Sequence, residues 1–168
     1  MQNDTLQFLF FDEDYEALKQ KIEGIREQVR ETQRLSAESV EQSSESWHDN
    51  YTFEEAQRQL KMLLNHLGGL SKTMEHARVV SRPSAVPPAV DLGTAVKYTN
   101  LTAGFTDDVV VGSYMVLDAT LEESGYISYD TPLARILMGV KEGDVRTGEL
   151  GGRHVELRVD EISLPSGS

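Results

Sequence analysis

The sequence predicts an α+β protein in two parts: an N-terminal antiparallel α-helical coiled-coil hairpin and a C-terminal β-rich domain. Three observations predict it. Two heptad-spaced apolar runs flank a polar stretch, three prolines cluster between residues 81 and 88, and the chain beyond them turns rich in Val, Gly, Thr and Tyr. Residues 1–80 are thus expected to form the hairpin, 81–88 a linker and 89–168 the second domain.

In the first run, apolar or semi-apolar residues fall at Tyr15, Leu18, Ile22, Ile25, Val29 and Thr32. In the second they fall at Phe53, Ala56, Leu60, Leu63, Leu67, Leu70, Met74 and Ala77. Spacings that alternate three and four place one stripe on each helix, the seam of a coiled coil. Ser36 to Asn50 is polar and reads as the turn region of an antiparallel pair. Gly68-Gly69 weakens the second helix, each glycine costing about 1 kcal/mol relative to Ala, and suggests a local bend. Ahead of the first helix, Phe8-Leu9-Phe10-Phe11 is expected either to cap the base of the hairpin or to pack on the C-terminal domain.

The tip, near 41–50, carries the unusual chemistry. No Lys or Arg occurs between Arg34 and Arg58, whereas Glu38, Glu41, Glu45, Asp49, Glu54 and Glu55 all do. Its centre reads Glu45-Ser46-Trp47-His48-Asp49-Asn50. Clustered carboxylates repel one another unless a cation or a basic partner is present. Hard oxygen donors of this kind suit Mg²⁺, which is held by one or two carboxylates with water or phosphate. Taken alone, such a turn reads first as a solvated acidic surface. Trp47 has little core to enter at a polar tip, so it either packs on the turn or meets a partner. Arg26, Arg30 and Arg34 share one helix face. They read either as a guide for a partner or as a face paired with Glu23, Glu27 and Glu31.

Composition excludes several classes. Without cysteine there is no disulfide, thiolate metal site or cysteine nucleophile, which suits the cytoplasm. A net charge of -12 argues against independent DNA binding, because phosphate affinity needs clustered cations. No apolar run is long enough to span a membrane, and no nucleophile–base arrangement marks a self-contained hydrolase.

In the second part, Thr94 to Thr99 and Val109 to Leu117 read as strands. Thr131 suits a helix N-cap, Pro132 the first helical position and Gly139 the stop. Lys141-Glu142-Gly143-Asp144 is a turn. Val145 to Leu150 and His154 to Ile162 form a hairpin across Gly151-Gly152.

The run Ile127-Ser128-Tyr129-Asp130-Thr131-Pro132-Leu133-Ala134-Arg135-Ile136-Leu137-Met138-Gly139, followed by Gly143-Asp144, resembles the C-terminal signature of the Gre transcription elongation factors, the GreA and GreB kind. Val90-Asp91-Leu92-Gly93-Thr94-Ala95-Val96 resembles the strand that opens that domain. Glu13-Asp14-Tyr15-Glu16-Ala17-Leu18 resembles the start of the family's first helix, and Asp49-Asn50 with Phe53 and Glu54 the segment after its tip. The resemblance covers the chain from about Asp12 to Ile162.

The resemblance implies an N-terminal coiled coil and a C-terminal FKBP-like domain that docks on RNA polymerase at the rim of its secondary channel. The coiled coil enters the channel, and its acidic tip helps hold the active-site Mg²⁺. The polymerase then hydrolyses the 3′ end of a backtracked nascent RNA. Such a protein is a monomeric accessory factor, not an enzyme, and touches the RNA 3′ end only indirectly.

Aligning Asn50 with the family's tip Asn puts Asp49 at its Glu position and Ser46 at its Asp position. Glu45 precedes Ser46 and lies four residues before Asp49, so on a helical turn both face one cation. Asp49 and Glu45 are therefore the candidate catalytic residues and Mg²⁺ ligands, with Ser46, Trp47, His48 and Asn50 as tip contacts. The Ser46 departure leaves a second reading open, a Gre-like regulator that occupies the channel and inhibits or retunes the polymerase without stimulating cleavage. A third is a polymerase-independent module whose hairpin pairs with another helix.

Overall fold

The computed structural model describes residues 7–42, 50–117 and 123–165, with the backbone alone at 39–42 and 50–52. Contacts divide the chain into two compact units. One is built around Glu16–Ala77; the other joins Leu9–Tyr15 to the chain from Arg78 onward.

The first unit is a helical hairpin. Helix α1 spans Asp12–Gln42 and α2 spans Asn50–Glu75. At 1.5 Å per residue these run about 46 Å and about 39 Å. The helices are antiparallel: Ser36 bonds Gln57, and one step down α1, Gln28 and Thr32 share a groove with Gln59, Met62 and Leu63 further along α2. Leu18, Ile22, Ile25 and Val29 are buried on α1, at the expected seam positions. Each such side chain contributes about 1.5–3 kcal/mol by leaving water. Among the described side chains of α2 only Leu70 is buried, and the other seam residues are half-buried. A two-helix seam covers one stripe and no more.

The turn is shorter than the polar stretch from Ser36 to Asn50 suggested. α1 continues to Gln42 and Asn50 already opens α2. Ser36 occupies the next seam position after Thr32 and is buried there, and Arg34 pairs with Glu38 at i,i+4, so the helix keeps its support beyond the last apolar seam position. α2 runs through Gly68-Gly69 uninterrupted.

Two short strands flank the helices, β1 (Phe8–Phe10) and β2 (Ala77–Val79), and pair as a two-stranded sheet. Neither was apparent in the sequence, since three residues carry too little periodicity to register.

The second unit holds β3 (Ala95–Asn100), β4 (Phe105–Gly112), β5 (Tyr126–Ser128), helix α3 (Pro132–Leu137), β6 (Val145–Leu150) and β7 (Arg153–Ser163). The five strands form one sheet in the order β5-β4-β3-β7-β6. All neighbours are antiparallel except β4 and β5. The strand expected over Val109 to Leu117 lies earlier, because Asp107 and Asp108 sit on β4 opposite Tyr98 and Lys97, with their side chains in solvent. After Gly112 the chain leaves the ladder.

The core lies on one sheet face. Val96, Tyr98, Val109, Val111, Val155, Leu157 and Val159 pack against Ala134, Ile136 and Leu137 of α3. The Thr131 side chain caps α3 by accepting from the Ala134 amide, Pro132 occupies the first turn, and Gly139 follows the helix at φ +75°. Arg146 then donates to the Met138 carbonyl at 2.7 Å, satisfying the helix end.

The Gly143-Asp144 turn has a specific task. Lys97 pairs with Glu161 and Tyr98 with Val159, so Asp160 is the extra residue of a β-bulge. The turn closes over it: the Gly143 amide donates to the Val159 carbonyl, the Val159 amide to the Asp144 carbonyl, and the Ile162 amide to Glu142 Oε1 at 2.7 Å. Gly143 adopts φ +82° to do this. The bulge turns Asp160 toward Thr99 and Arg158, whose hydrogen bonds hold its carboxyl below the usual range.

Gly148 on β6 is a close-packing position. A Cβ there would lie 2.5 Å from both Cγ1 and Cδ1 of Ile136, which is itself buried. Gly148→Ala is therefore expected to destabilise the protein by about 1–3 kcal/mol in urea unfolding. Ile136→Val, which frees the Cδ1 position, should recover part of that loss when the two are combined.

Candidate functional site

Residues 43–49 connect α1 to α2. Of the sequence-predicted site, Glu45, Ser46, Trp47, His48 and Asp49 lie outside the described residues, and Asn50 is the first residue of α2. The described flanks show how the acidic stretch is bounded. Arg34 pairs with both Glu31 and Glu38 at 2.6 Å. Arg58 pairs with Glu55 at 3.0 Å. The cations on either side of the stretch are thus each engaged by glutamates of their own helix. The Glu31 hydrogen bond raises the Arg34 pKa, with the charges of Glu31 and Glu38 adding to it.

The rest of the α1 charge face is settled in the same way. Arg26 pairs with Glu23, and Arg30 with Glu23 and Glu27. Bonds from Arg30 and then Arg26 hold the Glu23 carboxyl low. Of the two readings of this face, the structure favours the self-paired one. Exposed pairs of this type stiffen a helix modestly and are screened by salt. Among the described residues no group of three His, Asp or Glu is placed to hold a metal ion, and no helix is long and apolar enough to cross a membrane.

A second constellation, at the acid-rich start of α1, was not legible in the sequence. Phe10 and Phe11 are fully buried. Phe10 meets Tyr15 and Tyr114 edge-on at ring distances of 6.4 and 6.2 Å. Of the two places expected for the Phe8–Phe11 patch, these residues take the one in the C-terminal unit. The Leu9 amide donates to the Tyr129 hydroxyl, and the Tyr114 amide to the Leu9 carbonyl. Burial pushes the Tyr129 phenol up. Arg82 lies over the Phe11 ring at 4.2 Å and donates from Nε to Glu13 Oε1 at 2.5 Å. Gly93 closes the same region: with φ +85° it admits Pro83 Cδ, which a Cβ would approach to 2.6 Å. The only signal for this arrangement was the aromatic run itself, since its partners stand about a hundred residues away.

The molecule is thus a hairpin-and-sheet protein whose acidic segment links two long helices and whose sheet domain incorporates the first turn of one of them. Residues 85–164 match the family described as "Transcription elongation factor, GreA/GreB, C-term". The chain is 28% identical over 153 residues to a protein named transcription elongation factor GreA from Nitratiruptor sp., covering 88% of each. It is 27% identical to one of the same name from Amoebophilus asiaticus, covering 86% of this chain and 92% of that one. Among solved structures, it resembles GreA factor homolog 1 (Gfh1) of Thermus thermophilus, with TM-score 0.43, 24% identity and 94% and 99% of the two chains covered. It also resembles a GreA/GreB factor of Nitrosomonas europaea, with TM-score 0.37, 16% identity and 94% and 98% covered. Residues 85–164 thus resemble the C-terminal domain of the GreA/GreB factors, and most of the chain is similar to proteins named GreA.

The Glu13–Arg82 pair gives a pH test. Partial burial raises the Glu13 pKa, but its own backbone hydrogen bond and Arg82 outweigh this, and the net shift is below 4.5. A carboxyl depressed on folding stabilises above its unfolded value and loses that contribution as pH falls through the folded value. The stability gap between wild type and Arg82→Met should accordingly be largest near neutral pH and shrink below about pH 4.5. The contact between Arg82 and Phe11 should leave a pH-independent remainder. A gap constant with pH in denaturant titrations would show that the ion pair contributes nothing.

Proposed function

We propose that this protein is a transcription elongation factor of the GreA/GreB kind that acts on RNA polymerase. In this reading the C-terminal domain docks at the rim of the secondary channel, and the hairpin carries the segment 43–49 to the catalytic centre. The observation that carries it is the pairing of a GreA/GreB domain at 85–164 with two long antiparallel helices joined by a stretch without a single Lys or Arg between Arg34 and Arg58. A two-helix hairpin is about as thin as a folded arm can be, and an acidic end is what a catalytic cation attracts.

Asp49 and Glu45 would hold the active-site Mg²⁺ jointly with the polymerase. Their carboxylates are hard donors of the type Mg²⁺ takes, and one or two suffice when the partner and water supply the rest. The ion, when bound, supplies charge stabilisation and an activated water for hydrolysis of the phosphodiester. Ser46, Trp47, His48 and Asn50 would contact the surroundings of that ion. The protein works as an accessory to the nuclease activity of the polymerase and is not an enzyme alone. The Ser46 position favours one second reading, a channel-occupying regulator without cleavage stimulation, because a hydroxyl stands where the family carries an acid.

Polymerase stalled in a backtracked complex with labelled RNA and Mg²⁺ tests both. The expected outcome is faster release of short 3′ fragments with this protein, a gain cut by an order of magnitude or more in Asp49→Ala and by less in Glu45→Ala. Competition with an active Gre factor without acceleration would establish the regulator instead. Absence of both effects would sink the polymerase reading.

A further inference from the structure

The residue at the N-cap of α1 cannot cap the helix with its own side chain. Phe11 stands at the N-cap position, since its carbonyl accepts the Tyr15 amide at 2.9 Å, and a phenylalanine has no side-chain acceptor for the free amides of the turn. In a capping box the acid three residues into the helix reaches back to the N-cap amide directly. Asp14 stands at that place, but a residue from the other end of the sequence is inserted between the two groups. The Phe11 amide donates to Ser113 Oγ at 2.9 Å, and Ser113 Oγ donates to Asp14 Oδ2 at 2.5 Å. Ser113 is 1% exposed and Asp14 8%.

We propose that Ser113 is a positioning residue for the hairpin: through a relayed capping box with Phe11 and Asp14 it fixes the residue at which α1 begins. The hydroxyl is the one group that both accepts from Phe11 and donates to Asp14 in this geometry. An alanine leaves the amide and the carboxylate facing each other with a gap between them. The surroundings hold the relay in register. Leu9 is tied on both sides, by the Tyr129 hydroxyl and the Tyr114 amide, and the Val80 amide donates to the Phe10 carbonyl at 2.8 Å. Fixing the first turn sets the residue from which the hydrogen-bond register of α1 is counted. The consequence for activity rests on the polymerase reading, in which a small misplacement of the acidic segment is costly.

The test compares full-length wild type, Ser113→Ala, Ser113→Thr and Asp14→Asn, each first shown to be folded by circular dichroism. In the cleavage assay Ser113→Ala should keep the half-saturating concentration of wild type while its maximal rate falls by about tenfold. Ser113→Thr, which retains the hydroxyl, should restore that rate. Amide exchange gives the readout independent of activity. Loss of a cap should speed exchange at Phe11 by about fivefold to tenfold in Ser113→Ala, with recovery in Ser113→Thr and an intermediate effect in Asp14→Asn. A wild-type maximal rate in Ser113→Ala would overturn the proposal and leave the polymerase reading intact. If wild type itself neither cleaves nor competes, the polymerase reading fails, and the exchange data alone decide the relay. Unchanged protection at Phe11 in Ser113→Ala would then overturn it.

Discussion

A single apolar stripe holds the first unit together. Leu18, Ile22, Ile25 and Val29 are the buried apolar side chains among the described residues of α1, and a hairpin of two helices has no third layer to cover a second face. The remaining features of that unit follow from this economy. Its outward face must be stable in water without packing, which the glutamate–arginine ladder from Glu23 to Glu38 achieves by pairing every arginine on the helix itself. Its far end must stay helical past the last apolar seam position, which a buried Ser36 facing Gln57 allows. The thinner the structure, the more of its stability has to come from within each helix.

The second unit solves a different problem. Its sheet is half covered by one six-residue helix, so every contact of α3 counts. Thr131, Pro132, Gly139 and Arg146 finish the helix at both ends, and Gly148 lets Ile136 approach the sheet backbone. The Gly143-Asp144 turn is bound to the β7 bulge and not to the helix that precedes it. Residues that follow one another from Thr131 to Asp144 thus serve one packed assembly of helix, turn and bulge.

The α+β class, the antiparallel hairpin, the capped helix and the β6–β7 hairpin were all legible, since each rests on local periodicity or on turn chemistry. The end of α1 was not, because the seam positions after Thr32 fall on Ser36 and Ser39 and carry no apolar stripe, and helix continuation there depends on Arg34 and Ser36 finding partners. The start of β4 was missed because Asp107 and Asp108 read as turn formers until the neighbouring strand is known. The role of Phe10 and Phe11 was beyond any local rule. Of the acidic segment, the sequence supplies the charges and their order, and the described structure supplies only the helices that bound it.

The second unit is discontinuous along the chain, and this bears on how the protein is made. Phe11 and its partner Ser113 are 102 residues apart. At the about 5–20 residues per second of ribosomal synthesis, two phenylalanines emerge several seconds before Ser113 and Tyr114, which they meet in the folded protein. The helices between them can pair during that interval, because their seam is complete once Met74 has left the ribosome. The nascent chain therefore passes through a stage with a formed hairpin and a bare aromatic pair beside it, the kind of patch that chaperones bind. Closure of the sheet ends that stage.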